Sequence, residues 1–279
     1  MFQILKAILF GIVEGVTEWL PVSSTGHMIL LNEFVKLDVS NEFWKMFLVV
    51  IQFGAILAVI LLYWKTIWPV RRSKKTGRHY VSRKTIALWI KVIAACIPAA
   101  VVGLVLDDWL DEHLYNWWVV AIMLILVGLV FLLVERRNAD RQPLVTSLEE
   151  LTMKDALIIG IFQLLAAVFP GTSRSGATIV GALSIGVSRK IAAEFTFILA
   201  IPVMLGASLL KIVKYFVGGA YFSGMEAAIL LTGMLVAFFV SLVIIRFLMD
   251  YIRKHDFKPF GMYRIVLGFA VILYFALLH

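Results

Sequence analysis

The chain has little of the charge that a water-soluble protein needs. Charged residues make up only 16% of its 279 residues, whereas hydrophobic residues make up 62% and the mean hydropathy is +0.95. A typical soluble domain is about half apolar and about a quarter charged. The shortage of charge therefore excludes a soluble globular enzyme, and the apolar excess excludes a disordered chain, which needs low hydrophobicity. We expect an integral membrane protein.

Cysteine is nearly absent and acidic residues are few. The single cysteine, Cys96, cannot form an internal disulfide, and its apolar surroundings indicate a small buried residue rather than a redox group. There are 18 acidic against 26 basic residues, which gives a formal charge of +8. Because the basic residues gather in a few hydrophilic connections, they indicate membrane topology rather than a nucleic-acid partner.

Long apolar runs, in contrast, are abundant. A helix needs about 20 residues to cross the hydrocarbon core, with some latitude for tilt and snorkelling. The segments that satisfy this requirement are 46–64, 85–106, 114–134, 195–212, 227–245 and 262–279. Lys91 lies inside the second segment, and we expect its ammonium to snorkel toward the headgroups. The sequence predicts one all-α polytopic membrane domain over 1–279, with six transmembrane helices.

Two further apolar regions, 4–32 and 156–188, are interrupted in the middle by proline, glycine and hydroxyl residues. The interruption reads PVSSTGH in the first region and PGTSRSG in the second. Each half is about 10 to 15 residues long, which is too short to span a bilayer at about 1.5 Å per residue. Both regions are therefore predicted to be re-entrant hairpins of two helices and a loop.

The two predicted hairpins resemble each other at an offset of 149 positions, which pairs Ser24 with Ser173 among other identities. Each hairpin precedes three candidate spans, and because three is an odd number the second copy must be inverted. We therefore predict an inverted-topology repeat, with its first copy over 1–141 and its second over 150–279. Such repeats with broken helices commonly build a site at the bilayer midplane.

The orientation follows from the charges of the connections. The connection 65–84 carries eight basic residues and no acidic one, which places it in the cytoplasm. A loop after the second span carries Asp107, Asp108, Asp111 and Glu112 without Lys or Arg, which suits the outer face. The first hairpin then enters from the outer face and the second from the cytoplasm, so their tips meet inside the membrane.

The first hairpin contains two glutamates, Glu14 and Glu18, at a spacing that puts both on one helix face. Ionisable groups in a membrane are costly, so they indicate function by default. A divalent cation or a shared proton would relieve the repulsion between the two carboxylates. The alternative is that both simply face water or headgroups.

The loop that follows offers three hydroxyls, a flexible turn and an imidazole. These are supplied by Ser23, Ser24, Thr25, Gly26 and His27. Together they could provide backbone donors, a nucleophile and an acid or base. A kink with an ordinary helix cap would use the same residue types.

The loop of the second hairpin places Arg174 between Ser173 and Ser175 and before Gly176. A guanidinium beside a flexible backbone favours an anionic ligand, although a structural pairing with a glutamate of the first hairpin is the alternative. Phosphate fits the two loops best, because amides at helix starts and a forked cation bind its oxygens. We expect a lipid phosphate to reach the site laterally.

The motifs EGVTEWLPVSSTGH (14–27) and PGTSRSG (170–176) resemble those of the undecaprenyl-diphosphate phosphatases of the bacitracin-resistance type. The resemblance extends over essentially the whole chain. It implies a bacterial plasma-membrane enzyme that hydrolyses undecaprenyl diphosphate to undecaprenyl phosphate and orthophosphate, which recycles the carrier for cell-wall synthesis and confers bacitracin resistance. It also implies a divalent cation, Mg²⁺ or Ca²⁺, and a site open to the outer face.

The resemblance assigns roles to Glu14, Glu18, Ser24, His27 and Arg174, and the other predicted contacts follow from the residue types of the two loops. Catalytic roles fall to Glu18, Ser24, His27 and Arg174. The predicted metal ligands are Glu14 and Glu18. Predicted substrate contacts are Ser23, Thr25, Gly26, Ser173, Arg174, Ser175 and Gly176. The nucleophile is left open between Ser24, which we prefer, His27 and a directly activated water.

A rival hypothesis is a polyprenyl-phosphate flippase or a small-anion transporter, because an inverted repeat suits transport and a fold does not fix a function. The phosphatase hypothesis has a polyprenyl diphosphate and membrane lipids as partners. Neither hypothesis predicts nucleic-acid binding, and a homodimer is left open.

The orientation predicts a labelling pattern. A cysteine introduced at Lys74 should be protected from an impermeant thiol reagent in intact cells, whereas one introduced at Asp111 should be labelled. The measurement is reagent-dependent mass tagging before and after the cells are permeabilised. The opposite pattern would show that the chain is inserted the other way round.

Overall fold

The computed structural model describes residues 2–73 and 77–278. Its undescribed side chains within these ranges are those of Asp107, Asp108, Asp111 and Leu278. Lys74 and Lys75, on which part of the predicted topology rests, lie outside the described residues. The side chains of the three aspartates that were predicted to face outward are likewise not described.

The described residues form helices and one short antiparallel hairpin of strands. In chain order the elements are α1 (Phe2–Thr17), α2 (Ser24–Phe34), α3 (Asn41–Val50), α4 (Gln52–Ile67), β1 (Val70–Arg72), β2 (His79–Val81), α5 (Arg83–His113), α6 (Trp117–Arg137), α7 (Met153–Val168), α8 (Arg174–Ser184), α9 (Arg189–Val217), α10 (Gly224–Tyr251) and α11 (Lys258–Leu278). The two strands pair with Val70 opposite Val81.

Six of the described helical segments are long and apolar enough to cross a membrane. They are Asn41–Ile67, Arg83–Leu106, Trp117–Arg137, Arg189–Val217, Gly224–Tyr251 and Lys258–Leu277. Each contains most or all of one predicted segment, so the prediction of an all-α polytopic membrane protein with six candidate spans is confirmed. The first of these segments comprises α3 and α4, which meet at Ile51.

Two connections differ from the sequence prediction. The predicted loop containing Asp107, Asp108, Asp111 and Glu112 is wrong, because α5 continues through these positions to His113. No glycine or proline interrupts the stretch, and the turn comes where the Asn116 side chain accepts the Val119 N–H (3.0 Å) to start α6. The basic connection after α4 is also not a plain loop, since it contains β1 and β2.

The two interrupted regions have closely similar local structures. Helices α1 and α7 each have 16 residues, and α2 and α8 each have 11. Both second helices begin after a serine with a left-handed backbone, Ser23 (φ 73°) and Ser173 (φ 69°). Each of these hydroxyls accepts the amide N–H three residues later, from Gly26 (3.3 Å) and Gly176 (3.1 Å).

This geometry corrects the predicted pairing of Ser24 with Ser173. The residue that matches Ser173 in backbone and hydrogen bonding is Ser23, at an offset of 150 positions. The reason is that the second loop has one more residue between its proline and its capping serine. The offset of 149 positions therefore does not extend beyond the prolines.

The first helix of each interrupted region packs against a helix from the other half of the chain. Helix α1 packs against α10, whereas α7 packs against α5, and the last helix, α11, packs against α6. Helix α8 is enclosed, since residues 175–183 are all buried. The loop at the start of α8 therefore lies in the interior of the protein, next to the loop at the start of α2.

One close helix contact generates a stability prediction. A methyl group added at Gly54 in α4 would overlap the backbone carbonyl of Met234 in α10, whereas one added at Gly206 in α9 would meet open space. Overpacking of this kind costs about 1 to 3 kcal/mol. We expect Gly54→Ala to lower the thermal unfolding temperature in detergent by at least about 2 °C.

Gly206→Ala is the matched control, because it makes the same chemical change in a helix at a site with room. It should unfold at or a few degrees above the temperature of the parent protein, because alanine favours a helix over glycine by about 1 kcal/mol. Equal effects of the two substitutions would mean that the α4–α10 contact is not tightly packed.

Candidate active site

The centre of the candidate site is Glu18, which follows directly on the end of α1. Its two carboxylate oxygens have different partners, one from each hairpin. The Ser24 hydroxyl at the start of α2 donates to Oε2 (2.7 Å), and the Arg174 guanidinium at the start of α8 donates through Nη2 to Oε1 (2.9 Å). Both Glu18 and Ser24 are buried, with relative exposures of 7% and 8%. The packing thus joins residues that are 156 positions apart in the chain.

Arg174 is held on three sides. Its Nη1 donates to the backbone carbonyl of Thr196 in α9 (3.1 Å), and its guanidinium carbon lies 5.8 Å from the ring centre of Trp19. The guanidinium side chain is only 11% exposed. Its Nε has no partner among the described residues. One N–H donor of the guanidinium is therefore left without a hydrogen bond among the described residues.

The hydroxyl residues of the second loop tie the two loops together. Ser175 donates its hydroxyl hydrogen to the backbone carbonyl of Glu18 (3.0 Å). Its Oγ also lies 3.2 Å from the hydroxyl of Ser173, which caps α8. Ser175 and Ser173 therefore join the start of α8 to the backbone at Glu18.

Glu14 lies one helical turn before Glu18 and is 1% exposed. It interacts electrostatically with both Glu18 and Arg174. Its Oε1 is buried without a hydrogen-bond partner among the described residues. An unpaired buried carboxylate oxygen is costly, so this position fits an additional cation.

The site would offer a metal ion few protein ligands. In the part of the chain that the structure describes, no three His, Cys, Asp or Glu side chains cluster with a metal-binding geometry. Glu14 and Glu18 are the two carboxylates, and Ser24 adds a hydroxyl. Mg²⁺ commonly uses one or two carboxylates together with water and phosphate oxygens, so this donor set is compatible with it.

His27 is one turn into α2 and is not hydrogen-bonded to Ser24. Its Nδ1 donates to the Ser23 carbonyl (2.7 Å), and its Nε2 lies 2.7 Å from the hydroxyl of Tyr263 in α11. A carbonyl only accepts, so in the neutral ring Nε2 is the acceptor and Tyr263 is the donor. Thr25 is half-buried beside it at the start of α2.

Arg264 in α11 was missed by the sequence analysis. It is fully buried and donates to the carbonyl of Pro21 in the first loop (3.2 Å) and to those of Gly171 and Thr172 in the second (both 2.9 Å). It is the only described side chain that donates to backbone carbonyls of both loops. Its position within the last predicted span could have identified it, because a charge in an apolar segment is costly and indicates a specific role.

The resemblance rests on two motifs, 14–27 and 170–176. The structure brings them into contact through the buried pair of Glu18 and Arg174. A model of the family described as bacitracin resistance protein BacA matches residues 7–270. The chain belongs to the BacA family. The match includes both hairpin loops and Arg264.

Several curated members of the BacA family are similar to this chain over nearly their whole length. The chain is 57% identical to the undecaprenyl-diphosphatase 1 of Clostridium acetobutylicum, over 98% of this chain and 97% of that protein. It is 57% identical to the undecaprenyl-diphosphatase of Desulfitobacterium hafniense (99% and 97%) and 52% identical to that of Lactiplantibacillus plantarum (100% of both).

The contacts of Arg264 generate a second stability prediction. Arg264→Met would leave the carbonyls of Pro21, Gly171 and Thr172 without this donor, at about 1 to 3 kcal/mol each. We expect the free energy of unfolding to fall by at least about 3 kcal/mol, as measured by thermal unfolding in detergent.

Arg246→Met removes an exposed arginine from α10 and serves as the control. It should leave the unfolding temperature unchanged. An Arg264→Met protein as stable as the control would show that the two loops do not depend on this guanidinium.

Proposed function

We propose that this chain hydrolyses undecaprenyl diphosphate to undecaprenyl phosphate and orthophosphate. The reaction recycles the lipid carrier for cell-wall synthesis and confers bacitracin resistance. Membership in the BacA family and the names of relatives that match it end to end support the activity. The observation that carries the mechanism is the buried Glu18 carboxylate, which contacts both a hydroxyl and a guanidinium.

In the proposed mechanism Arg174 and the first amides of α2 and α8 bind the diphosphate. A forked guanidinium and helix N-termini both complement phosphate oxygens. Neighbouring Trp19 and Thr196 keep the guanidinium in place without consuming its Nε donor. Binding at helix starts favours the additional negative charge of the transition state, because the donors are preorganised.

The proposed nucleophile is Ser24. Its hydroxyl already donates to Glu18, so the carboxylate can take the proton as Oγ attacks the terminal phosphorus. The Oγ–P bond forms, the P–O bond to the bridging oxygen breaks, and undecaprenyl phosphate leaves. Glu18 releases this first proton to the leaving phosphate. Water then attacks the phosphorus of the phosphoserine and gives a proton to Glu18, which returns it to Ser24 Oγ as orthophosphate leaves. His27, the predicted acid or base, is a proposed proton carrier to the leaving phosphate.

We further propose that Glu14 and Glu18 hold a divalent cation, Mg²⁺ or Ca²⁺. The unpaired Oε1 of Glu14 supports this assignment. When bound, the cation would neutralise charge on the diphosphate. Ser23, Thr25, Gly26, Ser173 and Gly176 would contribute backbone and hydroxyl contacts around the phosphate.

The proposed membrane arrangement is an inverted repeat of two re-entrant hairpins, each followed by three spans. Equal helix lengths, matching serine caps and the packing of α1 with α10 and of α7 with α5 support it. The basic connection after α4 supports an orientation in which the site opens to the outer face. A substrate left on that face would then enter from the outer leaflet.

Orthophosphate release by the purified protein in detergent tests the activity, because a transporter has no membrane to act across and should be inert. We expect Arg174→Lys to reduce turnover about tenfold to a hundredfold, since an ammonium lacks the forked contact. The exposed Arg246→Lys is the matched control and should keep parental turnover.

A parent protein that binds the lipid diphosphate but releases no orthophosphate would favour the flippase or transporter. Parental turnover in a folded Arg174→Lys protein would contradict the phosphate-binding role of the guanidinium.

The proposed nucleophile can be tested by trapping. Rapid quenching with labelled substrate should yield an acid-stable phosphoserine, which Ser24→Ala should abolish. An acid-labile, alkali-stable adduct that disappears in His27→Ala would identify His27 instead. Inversion at phosphorus with a chiral thiophosphate substrate would contradict both and indicate direct attack by water.

A further inference from the structure

A second, strongly basic cavity lies away from the candidate active site. It has a volume of about 510 Å³ and is formed by the end of α4, the β1–β2 hairpin, the start of α5 and the connection before α7. Its lining includes the cations Lys65, Arg71, Lys84 and Lys91 and a single acidic residue, Glu149. The described lining thus carries an excess of three positive charges, and none of these residues contributes to the chemistry proposed above.

Local hydrogen bonds fix the connection before α7, which carries Glu149. The Glu150 carboxylate accepts the backbone N–H groups of Thr146 (2.7 Å) and Ser147 (3.3 Å). These donors hold the pKa of Glu150 below its usual range. Glu149 itself receives a hydrogen bond from Lys84 (3.1 Å), and its backbone carbonyl lies 3.5 Å from the Lys91 ammonium.

The interior end of the cavity explains why Lys91 can lie within a membrane span. Lys91 is half-buried two turns into α5, and its ammonium points along the helix to the connection before α7 rather than into lipid. The N-terminus of α5 begins at the same cavity, where Ser82 caps the helix through Thr85 N–H (3.3 Å). The positive end of the helix dipole adds to the charge of the lysines.

The surroundings of the cavity are those of a membrane interface. Trp64 and Trp68 at the end of α4 are both 46% exposed and stack on each other with 4.5 Å between ring centres. Exposed tryptophans are typical of the headgroup level. An exposed apolar row on the opposite face of α5 is formed by Ile86, Ile90, Ile93 and Ile97, which is the face expected toward lipid.

We propose that this cavity binds the phosphate headgroup of an anionic phospholipid. Its charge selects a phosphate and its volume accommodates a headgroup. The exposed rings of Trp64 and Trp68 at the same end of α4 place the cavity at the headgroup level, where a lipid phosphate is found. Basic pockets at the ends of spans on the cytoplasmic side suit anionic lipids, and the positive-inside rule places this one in the cytoplasmic leaflet.

Native mass spectrometry of the full-length protein, titrated in detergent with phosphatidylglycerol, tests the proposal. Phosphatidylcholine with the same acyl chains and inorganic phosphate are the comparison ligands. We expect the first phosphatidylglycerol to bind more tightly than phosphatidylcholine. The double substitution Lys65→Gln/Arg71→Gln should weaken it about thirtyfold, since each basic residue near the surface contributes about fivefold.

Arg136→Gln/Arg137→Gln is the matched control, because it removes the same charge from exposed positions at the end of α6, outside the cavity. It should leave the affinity within about twofold. Orthophosphate release equal to that of the parent shows that each variant is folded. If Lys65→Gln/Arg71→Gln does not fold, Lys65→Gln alone should weaken binding about fivefold.

Three outcomes would overturn the proposal. Equal losses in the two double variants would indicate general surface charge rather than a cavity. Equal binding of the two lipids would show that the headgroup charge is not recognised. Binding of inorganic phosphate with the same dependence on Lys65 and Arg71, without a preference for phosphatidylglycerol, would indicate a site for a soluble anion.

Discussion

The structure depends on how charges are kept in the interior of a membrane protein. The Glu18 carboxylate and the Arg174 guanidinium neutralise each other across the two hairpins, and neither would be tolerated alone at this depth. Breaking a buried pair by removal of one partner typically costs about 3 to 5 kcal/mol, much more than an exposed pair contributes. Because this pair is also the proposed phosphate site, the residues that assemble the fold are the ones available for chemistry. A phosphate bound by Arg174 would compete with Glu18 for the guanidinium and free the carboxylate to accept a proton.

The interrupted helices raise a second requirement, because every helix end has backbone groups without a partner inside the helix. The starts of α2 and α8 are satisfied by Ser23 and Ser173, whose backbones adopt the left-handed conformation to place their hydroxyls. The carbonyls of the loops are satisfied by Arg264. Glycine would relieve the backbone strain at the serines but would remove the cap, which explains why a side chain occupies a position that favours glycine.

Much of the fold and part of the candidate site could be predicted from the sequence. The remaining features could not, for definite physical reasons. The six candidate spans depend on length and apolarity, which a sequence displays directly. Glu14, Glu18 and Arg174 are conspicuous because charges in apolar segments are costly. The partner of Arg174 could not be assigned among the glutamates, since the choice depends on how α1 and α8 pack. The contacts of Arg264 could not be predicted because they depend on the packed positions of both loops. The end of α5 was predicted too early, because an acidic stretch need not end a helix.

The packing between the two halves of the chain also determines when the molecule can be completed. Helix α1 packs against α10, and more than 200 residues separate Thr17 from Gly224. At about 5 to 20 residues per second, the ribosome needs roughly 10 to 40 s between finishing the first helix and beginning its partner. Arg174 is made only late in that interval, and Arg264 is made only after α10 is complete. The surroundings that α1 has in the folded protein are therefore incomplete until the C-terminal helices have been made.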